Sequence, residues 1–597
     1  MEKELSLKDS QIFFLYSLFW LGLAGIGFCL ALLGFFYVPI IWLLVIFCAF
    51  WLFYSKFKNK VSLCPSRELI IIGICIIFIS IFFSFLSTPT VFSGRDQGSI
   101  SEAAIRLSQN HAFEFSTPAS QEFFKIYGPG KALNFPGFYY TESGKLITQF
   151  PLVYISWLAI FYGIFGLTGF AIANAVLLSL FFLAFYLLSR LFLKTFFALP
   201  TILFAITSFS FMWFSKYTLS ENMAAPLLWI SILALMLFLK NLRELYFAVF
   251  LASAFLLAFT RIEGWAFLLI ATIVIISDRA AKDYLKEKLL SRLFLPVIVF
   301  SLVFILNALK DINFYRELIK ALLSGIDIKP QAKLLTDLGD LPLPDLYFEK
   351  IFCLYGMIGF LFVGIAAILY FLYKQNFYKL IPFFIISPTF LYLFNSHISH
   401  DHPWMLRRFM FSVLPAAIFY CGLLLGEQFE KKEKYKIAIA ASAFFTVFLI
   451  IGNLPAFSKY LFFSENKNLF QETRLLTENF PDGSLILIDR NATSDGWSML
   501  SGPMSSLFGK NSVYFFNTND FSKLDLRKFN QAYLVVSDQE VPYYLNSTMG
   551  DHLKFLKNYT LNFSKLDSLQ DDSLEITTVL PDKKEVSVQG KIFEIEK

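Results

Sequence analysis

Long apolar runs separated by short charged segments make up most of this chain. Many of the runs extend for about 17 to 23 residues with almost no Asp, Glu, Lys or Arg, the length that an α-helix needs to cross about 30 Å of hydrocarbon. The pattern therefore predicts a polytopic α-helical membrane protein. About thirteen transmembrane helices are expected, near residues 12–33, 36–54, 69–87, 168–189, 196–213, 222–239, 245–260, 263–277, 293–309, 351–373, 380–395, 409–426 and 436–453.

One further apolar run, residues 151–166, is shorter and contains Tyr154, Trp157 and Tyr162. Trp and Tyr favour the headgroup layer, so we expect this segment to lie on the membrane surface. Counting it as a span would also invert the following helices and place the basic segment 279–292 outside. That arrangement would oppose the positive-inside bias.

The basic residues agree with an N-terminus in the cytoplasm. Each short segment that this topology places inside carries Lys or Arg, including Lys56, Lys58, Arg190, Lys194 and the five basic residues of 279–292. The long connections 88–167 and 310–350 then lie outside. Residues 1–455 are expected to form the transmembrane domain, and residues 456–597 an extracytoplasmic domain.

The C-terminal segment has a different pattern. Its apolar runs shorten to strand length at residues 484–488, 512–516 and 532–536, with turn signals between them, and helices are expected near 468–479 and 550–557. This pattern predicts a small α/β domain.

Composition narrows the class of protein. Of 597 residues 56% are hydrophobic, and the net charge of +6 reflects the basic cytoplasmic loops, so we expect no nucleic-acid partner. None of the six cysteines falls in a predicted outer segment, so no disulfide is expected there. Four Asn-x-Ser/Thr sequons in the tail would be acceptors in a eukaryotic secretory lumen, but the composition favours a bacterial or archaeal inner membrane.

Ionisable residues other than the loop cations gather at the predicted outer ends of the spans. Four separate connections contribute, with Asp96, then Lys216 and Glu221, then Arg261 and Glu263, and finally the segment 397–408. Such convergence is typical of a catalytic cavity that opens at the outer leaflet. Structural explanations also fit the single residues, because Asp96 resembles a helix cap and Glu221 suits a helix N-terminus. Arg261 needs an anionic partner, either Glu263 or a ligand.

The segment 397–408 carries two kinds of chemistry. His397, His400, Asp401 and His402 could bind a divalent metal, although no HExxH or CxxC spacing accompanies them. The paired Arg407 and Arg408 suit phosphate oxygens, which planar guanidinium groups bind bidentately. A lipid headgroup or a phosphate-bearing substrate would satisfy them.

The order of four short motifs resembles that of the GT-C membrane glycosyltransferases, a group that includes protein O-mannosyltransferases and lipid A aminoarabinose transferases. The motifs are Gly94-Arg95-Asp96-Gln97-Gly98, the juxtamembrane segment 150–166, Tyr217-Thr218-Leu219-Ser220-Glu221 and Thr260-Arg261-Ile262-Glu263-Gly264. The resemblance covers roughly residues 90 to 270 by motif and the rest of the chain by architecture only.

The resemblance implies transfer of one sugar from a polyprenyl-phosphate carrier to a lipid, glycan or protein acceptor at the outer leaflet, with inversion at the anomeric carbon. It gives Asp96 the role of general base. The departing phosphate needs cations, for which Arg261, Arg407, Arg408 and Lys216 are the candidates, with Glu221 and Glu263 as supporting acids. Gln97 stands where many relatives have a second acid, which argues against a metal held by adjacent carboxylates, whereas Glu221 and the histidine cluster leave a divalent metal open.

Two other functions remain open from the sequence. A transporter or flippase of lipid-linked sugars would place polar sites near the bilayer midplane and often shows internal repeats, neither of which the sequence contains. An outer-leaflet glycan polymerase or ligase would use the same kinds of residue, and the size of its product would distinguish it.

Overall fold

The computed structural model describes residues 7–58, 65–310, 312, 316, 345–393, 401–430, 435–493, 500–567 and 578–596. Most of the predicted outer loop 310–350 lies outside these ranges, as do His397 and His400.

Helices dominate the chain up to residue 460. The first group is α1 (Leu7–Leu32), α2 (Val38–Lys58) and α3 (Arg67–Phe85), followed by α4 (Asp96–Asn110), α5 (Pro118–Tyr127), β1 (Gly130–Lys131), β2 (Phe138–Tyr140), β3 (Leu146–Thr148) and α6 (Leu152–Phe165). The second is α7 (Thr168–Arg190), α8 (Thr195–Ile206), α9 (Phe209–Phe214), α10 (Ser220–Asn241), α11 (Glu244–Thr260), α12 (Glu263–Ser277), α13 (Arg279–Tyr284), a π-helical turn (Leu285–Leu289) and α14 (Leu290–Lys310). The third is α15 (Tyr347–Leu354), α16 (Ile358–Tyr373), α17 (Phe377–Ile386), α18 (Arg407–Met410), α19 (Val413–Glu430) and α20 (Tyr435–Tyr460).

Several of these helices are long and apolar enough to cross a membrane. The described residues contain 5 such helices, or up to 8 if each of three bent helix pairs forms one span. The bends are 94° between α12 and the helix after it, 104° between α15 and α16, and 54° at the start of α19. The chain is an integral, multi-pass membrane protein, as the hydrophobic pattern predicts.

Two breaks in the predicted spans have visible local causes. The predicted span 196–213 is divided into α8 and α9, and Asn453 of α20 donates to the carbonyl of Phe204 at 3.4 Å and to the hydroxyl of Thr207 at 3.2 Å near the break. Between α15 and α16, Gly356 adopts a φ of 72°, and a Cβ there would lie 2.7 Å from Asn453 Oδ1. Asn453 therefore lies next to both breaks.

The prediction that residues 151–166 lie on the membrane surface is wrong. This segment is α6, which is buried from Leu152 to Phe161 and packs against α1, α4 and α7. Its polar atoms find partners inside the protein, because Tyr154 donates to Asn174 Oδ1 at 2.8 Å and Trp157 donates to the carbonyl of Ala173 at 3.3 Å. These contacts replace the headgroup environment that the aromatic residues would otherwise favour.

The C-terminal segment forms an α/β domain, as predicted. Its elements are α21 (Leu469–Thr477), β4 (Leu485–Asp489), α22 (Ser501–Ser506), β5 (Asn511–Phe515), β6 (Ala532–Ser537), α23 (Val541–Leu545), β7 (Leu553–Asp567) and β8 (Asp582–Ile595). The sheet order is β5-β4-β6-β8-β7, in which β4 is parallel to both β5 and β6, and β8 is antiparallel to both β6 and β7.

The prediction of a helix near 550–557 is wrong. Only Gly550–His552 forms a helical turn, of the 3-10 type, and β7 begins at Leu553. Pairing between β7 and β8 continues from Leu553 opposite Ile595 to Asp567 opposite Asp582. This long partner strand decides the conformation of the segment, since strand stability depends on cross-strand contacts that a local pattern does not show.

Residues 86–151 and the C-terminal domain lie at the same end of the helix bundle, which we call the loop face. Thr88 donates to the carbonyl of Glu465, and Ser464 donates to the carbonyl of Leu86. Asn134 donates to the carbonyl of Tyr514 at 2.7 Å. The starts of α4 and α10 lie at this face as well, because Ser101 and Thr218 are hydrogen-bonded at 2.7 Å.

Candidate functional site

Asp96 is the first residue of α4, and a tight turn places it there. Gly98 lies so close to this turn that a Cβ would meet the carbonyl oxygen of Ser93 at 1.9 Å. The carboxylate of Asp96 accepts from Arg407 Nη1 at 2.6 Å, and its side chain is 38% exposed. Asp96 is therefore held by a cation and still open to solvent.

Three hydroxyl groups fix the first turn of α4. Ser101 and Thr218 both donate to the carbonyl of Gln97, at 2.7 and 2.9 Å, and the hydroxyl of Thr90 lies 2.8 Å from each of them. Since Thr218 belongs to the loop before α10, these bonds join α4 to the helix bundle next to Asp96.

Glu221 is the central buried acid of the site. It lies in the first turn of α10, with its side chain 1% exposed. Its Oε1 is 2.7 Å from Arg261 Nη1 and 3.9 Å from Arg407 Nε. Arg261, from the turn between α11 and α12, and Arg407, from α18, thus share one carboxylate, which offsets the cost of burying it.

Arg261 is surrounded by acids. Its Nε and Nη2 donate to the two carboxylate oxygens of Glu263 at 3.1 and 2.8 Å, and its Nη1 contacts Glu221. The guanidinium also lies 4.7 Å from the ring centre of Phe411, and Tyr392 donates to Glu263. Of the two anionic partners considered for Arg261, Glu263 or a ligand, the structure has Glu263 in place.

Arg407 joins the two acids of the site. It contacts Asp96 through Nη1 and Glu221 through Nε, while its guanidinium lies 4.2 Å from the ring centre of Trp404. Arg95 lies 4.9 Å from the same ring and forms an ion pair with Asp401. The neighbours Arg95 and Asp96 are thus each paired with the segment 401–407.

Arg408 differs from the other arginines of the site. Its guanidinium lies 5.5 Å from the ring centre of Tyr392, and within the described ranges it forms no ion pair. The Nε groups of Arg407 and Arg408 are both buried without a hydrogen-bond acceptor in the part of the chain that the structure describes. Buried N–H donors without acceptors are costly, and an anionic ligand would satisfy them.

Lys216 lies apart from the arginines. Its Nζ donates to the carbonyl oxygens of Tyr460, Leu461 and Phe463 at 2.9, 2.7 and 2.8 Å. These carbonyls follow the C-terminal end of α20, where a cation is favourable. The geometry places Lys216 at the junction between the last long helix and the C-terminal domain.

Asp401 and His402, the two candidate metal ligands that the structure describes, are bound to other side chains. Asp401 pairs with Arg95, and His402 Nδ1 is hydrogen-bonded to the hydroxyl of Tyr355 at 2.9 Å. Among the described residues, no three His, Cys, Asp or Glu side chains lie close enough together to hold a metal ion. His397 and His400 lie outside the described residues, so the metal stays a prediction.

The residues that complete the site carry weak sequence signals. Trp404 falls inside the predicted segment 397–408 but has no motif of its own, and Tyr392 lies in a 3-10 turn of a predicted span. Thr90, Ser101 and Thr218 are short hydroxyl residues of a common kind, and of the three only Thr218 falls within one of the four motifs. Their roles depend on contacts between distant segments.

The comparisons with known proteins concern the fold. No protein-family model matches the sequence, and no curated protein matches it. Among solved structures, the chain is similar to ArnT from Cupriavidus metallidurans in the apo state, with 11% identity and a TM-score of 0.49 over 87% of this chain and 97% of that one. It is also similar to ArnT from the same organism bound to undecaprenyl phosphate, with 10% identity and a TM-score of 0.47 over 88% and 98% of the two chains. Similarity of this size assigns no family.

Proposed function

We propose that this protein is an inverting glycosyltransferase that moves a sugar from a polyprenyl-phosphate carrier to an acceptor hydroxyl at the outer leaflet. One observation carries the proposal. A solvent-accessible carboxylate, Asp96, lies in contact with Arg407, and the buried Nε groups of Arg407 and Arg408 have no acceptor within the described residues. A base and unsatisfied phosphate-binding donors thus occur together at the loop face.

The transfer step uses both groups. The acceptor oxygen attacks the anomeric carbon from the face opposite the phosphate and loses its proton to Asp96. The bond between the anomeric carbon and the phosphate oxygen breaks, and its electron pair stays on the phosphate. The phosphate gains a negative charge in this step, which Arg407 and Arg408 stabilise.

Arg407 connects donor binding to the base. While it is paired with Asp96, its Nη1 occupies a carboxylate oxygen that the acceptor hydroxyl would otherwise contact. A donor phosphate that takes hydrogen bonds from Arg407 competes with Asp96 for the guanidinium. Donor binding thereby frees the carboxylate for the acceptor.

The remaining candidates position these groups. Glu263 holds Arg261, Arg261 holds Glu221, and Glu221 places a buried negative charge 3.9 Å from Arg407 Nε. Lys216 fixes the end of α20 through three carbonyl groups, so we assign it a structural role. No metal is required for this step, since arginines supply the positive charge.

The test is transfer by the purified full-length protein in nanodiscs, supplied with polyprenyl-phosphate sugars and an acceptor extract from the native membrane. Asp96→Asn removes the proton acceptor at constant size, so we expect transfer to fall at least about 100-fold. Glu142→Gln, an exposed acid of the same loop, is the matched control and should retain full activity. Normal turnover by Asp96→Asn, with the variant folded, would refute the proposal.

The same assay separates the alternatives. Addition of one sugar supports the proposal, whereas transfer of a preassembled chain identifies a polymerase or ligase. Counterflow of a labelled lipid-linked sugar across vesicles without transfer identifies a transporter.

A further inference from the structure

The helix α4 has contacts along its whole length that its role as carrier of Asp96 does not explain. Glu102, Arg106 and Gln109 follow one another at spacings of four and three residues, so these three lie on one helix face. This face packs against α22 of the C-terminal domain. Arg106 Nη2 donates to Ser505 Oγ at 2.5 Å, and Gln109 Nε2 donates to the carbonyl of Ser506 at 2.8 Å.

The helix α22 has a glycine where it meets the side chain of Glu102. A Cβ on Gly502 would lie 2.4 Å from Glu102 Oε2. Glu102 and Arg106 are both 9% exposed and lie 3.4 Å apart, and Arg106 also stacks 4.9 Å from the ring centre of Phe115. The contact therefore buries charged groups that need fixed partners.

A second connection reaches α4 near Asp96. The edge strand β5 pairs with the loop before β2, since Asn134 donates to the carbonyl of Tyr514 at 2.7 Å and accepts from its N–H at 3.3 Å. Two residues further on, the carbonyl of Pro136 accepts from Ser99 Oγ at 3.0 Å. Ser99 lies in the first turn of α4, so the sheet of the C-terminal domain braces the end of the helix that carries Asp96.

From these contacts we infer that the C-terminal domain is a positioning element, which seats α4 and thereby aims Asp96 into the site. The inference rests on the proposed function for the role of Asp96. The helix spans about 15 Å between Asp96 and Arg106, and it behaves as a rigid rod over this length. A tilt of the part of α4 that contacts α22 consequently displaces the carboxylate of Asp96. A displacement of about 1 Å is enough to lower the catalytic rate about 100-fold.

The main variant, Gly502→Val, places a branched side chain against Glu102. We expect kcat to fall at least about tenfold with the donor KM within about twofold of the wild type. Hydrogen–deuterium exchange of residues 96–110, measured in the full-length protein without substrate, should rise while exchange of β4 and β6 stays unchanged. Ser522→Val, at an exposed position of the same domain, is the matched control and should change neither quantity.

Ser505→Ala is the second variant, because it removes a single hydroxyl from the contact and adds no bulk. It should raise exchange in α4 and lower kcat in the same direction, by a smaller factor. If Gly502→Val raises exchange in β4 and β6, the variant disturbs the domain itself, and the inference is then decided by Ser505→Ala alone. Unchanged exchange in α4 overturns the inference, and so does raised exchange with unchanged kcat.

The exchange measurement also separates the two proposals. If the wild-type protein transfers no sugar, the proposed function fails, while exchange in α4 still reports whether the domain seats the helix. If transfer is normal and the variants leave α4 and kcat unchanged, only the positioning role fails.

Discussion

Arg407 connects the solvent-accessible Asp96 with the buried Glu221. It contacts Asp96 at 2.6 Å on one side and Glu221 at 3.9 Å on the other. Arg95, beside Asp96, pairs with Asp401 in the same segment. The cation Arg95 thus pairs with an acid and its neighbour, the acid Asp96, pairs with a cation. These two ion pairs fix the register between the start of α4 and residues 401–407. A one-residue shift would bring like charges together.

Arg408 provides the sharpest test of the phosphate site. It forms no ion pair within the described residues, so Arg408→Met leaves no buried acid without its partner. Loss of a charge-assisted hydrogen bond of about 1.5 to 3 kcal/mol should weaken binding of polyprenyl phosphate about 10- to 100-fold. Binding is measured by titration of the protein in nanodiscs.

The control for this test is Arg527→Met, because Arg527 is 89% exposed in the C-terminal domain. It should bind polyprenyl phosphate as the wild type does. An unchanged dissociation constant for Arg408→Met would remove Arg408 from the phosphate site.

At the scale of elements, the turn before α4 depends on one glycine. A Cβ at Gly98 would lie 1.9 Å from the carbonyl oxygen of Ser93, so Gly98→Ala must move the first turn of α4. We expect transfer to fall about 100-fold, since Asp96 lies in that turn. Gly73→Ala in α3 is the matched control, because nothing lies within 4 Å of its Cβ, and it should transfer at the wild-type rate.

The end of β4 makes the C-terminal domain sensitive to pH. Burial raises the pKa of Asp489 to about 6, although Tyr544 donates to its Oδ2 at 2.7 Å. An acid whose pKa is raised on folding favours the folded state below its ordinary pKa, near 4, and this contribution is lost as the pH rises through 6. It amounts to about 3 kcal/mol at most.

We therefore expect the apparent unfolding temperature of the full-length protein to decrease, relative to that of Asp489→Asn, as the pH is raised from 4 to 7. The variant has no titrating group at this position and supplies the reference at each pH. A difference between the two proteins that is independent of pH would show that Asp489 has an ordinary pKa.

The elements that the sequence predicts well are those whose signal is local. Uniform apolar runs predict α1, α3, α7 and α10, and short apolar runs predict β4, β5 and β6. The segment α6 is different, because its aromatic residues fit both the membrane surface and a protein interior. Only the partners of Tyr154 and Trp157 decide between them.

In the candidate site, too, the local features are predictable from the sequence and the long-range contacts are not. Charges at the ends of predicted spans indicate that Glu221, Arg261, Glu263 and Arg407 converge, because alternate connections lie on the same side of a membrane. Their pairing is not predictable in this way. The ion pair between Arg95 and Asp401 joins residues 306 positions apart in sequence, and the placement of Lys216 depends on where α20 ends.

For the whole molecule, the structure requires residues 86–151 and the C-terminal domain to share one side of the membrane. They are joined by buried contacts, among them those of Asn134 with Tyr514 and of Arg106 with Ser505. Which side this is depends on the basic segments. The bend of 94° after α12 carries α13, with Arg279 and Lys282, away from the axis of α12.

This arrangement is tested with single cysteines placed in a cysteine-free version of the full-length protein. Glu142→Cys in the first long loop and Arg527→Cys in the C-terminal domain should both react with a membrane-impermeant maleimide added to intact cells. Lys282→Cys in α13 should react only after permeabilisation, and all three positions are exposed to solvent in the structure. The reverse pattern would place Asp96 in the cytoplasm, where a donor presented at the outer leaflet could not reach it. Labelling of only one of the first two cysteines would contradict the shared side itself, because the loop and the domain could not then be in contact.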